Sequence, residues 1–208
     1  MISLSTPAPR DCLTAFSRQS PPPEFDCLAF QTCKQKTRKD LLGNQQHQCA
    51  FCESPIKDDG NSTHLDHLMP QDLDASRRFD IHNLVACCQD NKTCGHKHKS
   101  HPVPDELNPY LARNLHRSML CHSTGELYNA TDAHALSAQA WKFAQVHLNL
   151  NSPELQMTRK VVMSQIQKQT IALGTNARKR IKNLSTKDVG FLSLHQQLLG
   201  RFGFTLPI

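Results

Sequence analysis

Cys49-Ala-Phe-Cys52, His64-Leu-Asp66-His67-Leu-Met-Pro70 and Asn83-Leu-Val-Ala-Cys87-Cys88-Gln-Asp-Asn91-Lys92-Thr-Cys94-Gly-His96-Lys97-His98-Lys99 succeed one another along residues 49–99, and this stretch decides how the chain is read. Two cysteines with two residues between them present both sulfurs to one zinc ion at about 2.3 Å, on adjacent tetrahedral vertices. The cysteines that follow supply the other two vertices. The set chosen is Cys49, Cys52, Cys88 and Cys94, with Cys87 as the substitute, and five residues separate Cys88 from Cys94. Asp66-His67 carries different chemistry: a carboxylate is a hard ligand for Mg²⁺ or Mn²⁺, and a neutral imidazole takes a proton from water near pH 7. Phosphodiester hydrolysis needs both. Neighbouring side chains of a regular strand point to opposite faces, so the pair shares a site only where the strand ends or twists, and Pro70 lies close by.

The order of these motifs resembles the HNH endonucleases with their ββα-metal fold. More narrowly, Gln48-Cys49-Ala-Phe-Cys52-Glu53 with the upstream Arg38-Lys-Asp-Leu-Leu42 is similar to the PtuB nuclease subunits of Septu and retron-associated anti-phage defence systems. The resemblance covers residues 38–101. It implies that His67 is the general base, that Asp66 holds the catalytic divalent ion, and that Asn83 braces a loop through backbone hydrogen bonds. His96, on the helix after the second strand, is the implied second ligand, with Asn91 as its rival because the spacing after Cys88 departs from the family pattern. Lys92, Lys97 and Lys99 would hold flanking phosphates. The zinc would staple a two-strand, one-helix unit too small to order itself. A regulating ATPase, PtuA-like and docked through the helical regions, is the implied partner.

The rest of the chain sets the bounds. Among its 208 residues 38% are hydrophobic and only 6% aromatic, so the core is aliphatic and modest, which favours a structural metal. A net charge of +6 and a sequence pI near 8.9 lean toward a polyanion such as DNA, with RNA equally suited to the chemistry. No apolar run approaches the roughly 18 residues that span a bilayer, and the start lacks a secretory pattern. A cytoplasmic location is expected, where nine cysteines are ligands or packed thiols rather than disulfides. Cys12, Cys27 and Cys33 read as packed thiols, Cys121 and His122 lack a partner pair, and His64, His98 and His101 read as phosphate-side or surface groups.

The expected fold is α+β, a small zinc-bearing HNH finger between mainly helical flanks. Residues 1–23, ending in Ser20-Pro-Pro-Pro23, read as an extended arm with little packing. Residues 24–43 read as a helix with Phe25, Leu28, Ala29 and Cys33 at helical spacing, stopped by Gly43. Residues 44–102 form the nuclease core and 103–208 a helical region for docking. Within the latter, Thr131-Asp132 caps a segment carrying Leu136, Ala140, Phe143, Ala144 and Val146, and Ser152-Pro153-Glu154 opens the clearest helix, through Leu155, Val162, Ile166 and Leu173 to Gly174. A last helix runs from Ser185-Thr-Lys-Asp188 to Leu199, and a second basic run lies at Arg178–Lys182. The competing class is a non-catalytic zinc module that binds nucleic acid or protein, in which Asp66-His67 is incidental.

Overall fold

The computed structural model describes residues 1, 3–5, 7–8, 10–173 and 190–201. The expected start of the last helix at 185–188, the basic run at 178–182 and the Gly174 cap lie outside them. Among the described residues no helix is long and apolar enough to cross a membrane.

The described residues are mixed α and β, with two small antiparallel sheets. Helices α1 (Asp11–Ser17) and α2 (Gln31–Asn44) precede strands β1 (Thr63–His67) and β2 (Leu84–Cys88). Next come the short helix α3 (Leu115–Ser118), strands β3 (Met119–Cys121) and β4 (Leu127–Asn129), and helices α4 (Ala138–Val146), α5 (Pro153–Leu173) and α6 (Leu192–Arg201). β1 and β2 pair with Thr63 opposite Cys88, Leu65 opposite Ala86 and His67 opposite Leu84. Because paired side chains share a face and successive ones alternate, His64 and Asp66 stand with Cys87 and Val85 on one side, and His67 stands on the other.

Local chemistry explains most boundaries. Ser152 Oγ accepts the Leu155 N–H at 3.3 Å and Pro153 takes the first turn, so α5 begins where its N-cap dictates. Helix α4 is capped by Ser137, whose Oγ accepts from Ala140 N, rather than by Thr131-Asp132, and Val146 is exposed. Asp132 instead caps the turn before it, accepting from His134 N. Two glycines do not stop their helices: α2 continues through Gly43 to Asn44, and α6 through Gly200 to Arg201.

The expected extended arm is partly helical and packed. Met1, Leu4 and Leu13 are buried, and the Met1 amino group lies 3.0 Å from Glu53, which also accepts from Ser193 N and Oγ. Cys12 of α1 and Cys33 of α2 form a disulfide where packed thiols were expected. Around that link Phe16, Phe25, Phe30 and Phe79 make an aromatic cluster, which draws the arm onto the body. Phe25 belongs to it, whereas Leu28 and Ala29 face solvent, because Leu28–Phe30 is a 3-10 turn and not the start of the helix. One continuous hydrophobic core joins these elements to Phe51, Leu107, Leu148, Leu155 and Phe191.

Candidate functional site

Gln45, buried at the end of α2, organises the metal-binding half of the stretch. Its amide donates to the carbonyls of Gln48 and Ala86 and accepts from Ala86 N–H, all at 2.8 Å. Ala50 N–H also reaches Ala86 O, so the Cys49–Cys52 turn is stitched to the free edge of β2. A tight turn follows β2, in which Asp90 O accepts from Thr93 N and Gly95 N. A Cβ on Gly95 would lie 2.6 Å from Asp90 O and 2.7 Å from Cys88 O, so only glycine lets the chain fold back and deliver Cys94.

The sulfurs of Cys49, Cys52, Cys88 and Cys94 are buried and lie within 4.8 Å of one another. Cys49–Cys94 and Cys88–Cys94 are 3.4 Å apart and Cys52–Cys88 is 3.9 Å apart. A tetrahedral ion with sulfurs at 2.3 Å requires about 3.8 Å between ligands, so the arrangement fits a structural metal of the zinc type. Burial beside the other thiols drives Cys49 up, while Cys88, receiving their hydrogen bonds, is driven down. Four thiolates in one buried cluster need a compensating cation. Cys87, the substitute, points to the opposite face of β2, and burial pushes its thiol up to about 12. The pleat, and not the spacing, selects Cys88.

Asp66 lies on that opposite face. Its Oδ2 is 2.9 Å from His98 Nε2 and 3.5 Å from His64 Nε2, and Oδ1 accepts the His67 backbone N–H. Burial opposes ionisation, but His64 and His98 outweigh it and hold the carboxyl well below the usual range. His98, expected at the surface, is buried beside Phe51 and Phe143. Its Nδ1 donates to His101 O at 3.1 Å, so Nε2 meets the carboxylate without a proton unless the ring is charged. Burial works against that charge, but the Asp66 contact prevails and the pKa is raised. Two acceptors 2.9 Å apart call for a proton or a cation, and cis ligands of an octahedral ion at about 2.1 Å stand about 3 Å apart.

The other assigned residues divide. His96, exposed at positive φ, stacks on His64 at 3.9 Å and bonds Gln89 Oε1 at 2.5 Å, while Asn91 is exposed in the turn. Residues 91–96 form turns, not the helix on which His96 was expected. Lys92, Lys97 and Lys99 are exposed along this turn and its continuation. Asn83 accepts from Met69 N at 2.6 Å and donates to Met69 O and Arg77 O, bracing the loop between β1 and β2. His67 diverges from Asp66. Its ring packs edge-on to Phe25 at 4.5 Å, and Nε2 donates to Arg78 O at 3.0 Å. Burial lowers its pKa, the Arg78 carbonyl and Asp66 opposing, so it is neutral with Nδ1 as the acceptor nitrogen.

No protein-family model matches the chain, and no curated protein is significantly similar to it.

Proposed function

We propose that this chain is a metal-dependent endonuclease of the HNH type that hydrolyses phosphodiester bonds, with DNA as the favoured substrate and RNA chemically equivalent. The observation that carries the reading is the Asp66–His98 pair: an ionised carboxylate faces an imidazole nitrogen at 2.9 Å, on a hairpin held by a four-thiol cluster. In this reading Asp66 and His98 hold a Mg²⁺ or Mn²⁺ ion, which when bound supplies charge stabilisation at phosphorus and at the leaving oxygen. His98 takes the place assigned to His96, because its Nδ1–H bond to a backbone carbonyl orients Nε2 as a ligand. The resemblance gives His67 the general base's role; it stands on the other face of β1 from Asp66, with Nδ1 as its unprotonated nitrogen because Nε2 donates to Arg78 O. Zn²⁺ in the four-cysteine cluster is structural, and Lys92, Lys97 and Lys99 meet phosphates. A cytoplasmic defence role with an ATPase partner follows from the resemblance alone.

The test is cleavage of plasmid DNA and of an RNA pool by the zinc-loaded protein with added Mg²⁺ or Mn²⁺, against Asp66→Asn and His67→Ala. The expected result is metal-dependent nicking that falls at least about 10²-fold in both variants. Nucleic-acid binding without cleavage under any ion, in wild type and variants alike, would favour the non-catalytic zinc module.

A further inference from the structure

Beside the candidate site runs a second polar feature that the assigned roles do not use. On α2, Gln31, Lys34, Gln35 and Arg38 fall at i, i+3, i+4 and i+7, a spacing that puts all four on one face. That face forms a wall of a groove of ≈ 230 Å³, whose other side includes His64 of β1 and Gln89 just beyond β2. Through His64 the groove adjoins Asp66, which does not itself line it. Neither ring nitrogen of His64 makes a hydrogen bond although both are shielded from solvent, and Nε2 stands 3.5 Å from Asp66 Oδ2. Among the described residues, the two cations lining the groove are paired only with Asp26, 77% exposed, and Asp58, 39% exposed. Exposed pairs of this kind contribute little and yield to a stronger anion. No carboxylate is among the described residues that line the groove.

We propose that this groove is a strand-binding subsite, in which Lys34 and Arg38 hold backbone phosphates of a nucleic-acid strand leading away from the phosphodiester at Asp66. The assignment rests on the nuclease reading. The amide of Gln35 offers a donor and an acceptor, the complement of a base edge, and Gln31 keeps its acceptor oxygen while donating to Asp26 O; Gln89 is already held by His96 and Gly60 O. His64 lies between the groove and the site, 3.5 Å from Asp66. Lys34 also rests over the Phe25 ring at 5.1 Å, which places its ammonium between the groove and the His67 pocket.

The test is fluorescence anisotropy of short labelled single-stranded DNA and RNA with the full zinc-loaded chain, without added divalent ion, across a salt series. Lys34→Ala/Arg38→Ala is compared with Lys36→Ala/Lys39→Ala, which removes equal charge from exposed positions of the same helix that do not line the groove. The groove pair is expected to weaken binding and to lower the slope of log K against log salt by about 1.4, at 0.7 per phosphate on a single strand. The control pair keeps most of the affinity and slope, and the arm that responds names the strand. Equal effects of the two pairs, with matched circular dichroism and melting, would overturn the subsite. Cleavage by the same preparations decides the nuclease reading separately.

Discussion

At the residue scale, the imidazole that meets Asp66 is His98, two positions past the one the resemblance implied, and in the proposed nuclease reading it is the second ligand. His98→Ala is expected to raise the Mg²⁺ or Mn²⁺ concentration needed for half-maximal cleavage by at least tenfold, with activity returning at high metal, whereas His96→Ala leaves it within a few-fold. Metal titrations of the two variants check this, and the opposite ranking would return the role to His96. The sequence picked out the four clustered cysteines and the loop-bracing Asn83. It did not reveal His98, because three histidines at 96, 98 and 101 differ only in how the turn after Cys94 closes. His195 sets a second expectation. It is buried with Nε2 unbonded, and burial lowers its pKa, the charge of Glu53 opposing. A lowered folded-state value means that the unfolded chain binds more protons as pH falls below about 6.5, so the contribution is complete above that pH and is lost beneath it. The melting temperature should therefore drop between pH 7 and pH 5, and less steeply in His195→Gln.

At the scale of elements, β1 and β2 form a two-stranded hairpin that would be marginal alone. Its order comes from the Gln45 staple on one edge and from the thiol cluster at one end. Cys49→Ser is expected to lower zinc content from about one per chain toward none and to destabilise by at least about 3 kcal/mol, since three buried thiols lose their common ion. Zinc analysis and thermal melting of the same sample check both. An unchanged melting temperature would mean that the cysteines act as packed thiols. The Ser152-Pro153 helix start was legible, because capping chemistry is local. The helix expected after β2 was not there, because residues 91–96 turn tightly to bring Cys94 back to Cys88.

At the scale of the molecule, the amino-terminal segment is part of the body. It is linked through Cys12–Cys33, through Arg10 paired with Asp40, and through Leu4 N–H donating to Pro109 O. The disulfide spans a separation of 21 residues, for which loop-closure entropy gives about 3 kcal/mol. Cys12→Ser is expected to lower the melting temperature by about 6–12 °C under non-reducing conditions and to have no effect once a dithiol reductant is present. Equal melting of wild type and variant without reductant would show that the bond contributes nothing in solution.

The sequence by itself determined the four-cysteine set, the strand that carries Asp66, the bracing asparagine and the capped start of α5. Each depends on spacing or on contacts within a few residues. Tertiary structure decided the rest: that Cys88, already preferred, and not Cys87 joins the group of four sulfurs; that His98 and not His96 meets Asp66, because of the turn around Gly95; and a packed arm instead of an extended one. In the last case scattered residues, Met1, Leu13 and Phe16, find partners far along the chain. Burial of that kind carries no periodic signal, so the physical reason for it exists only in the folded molecule.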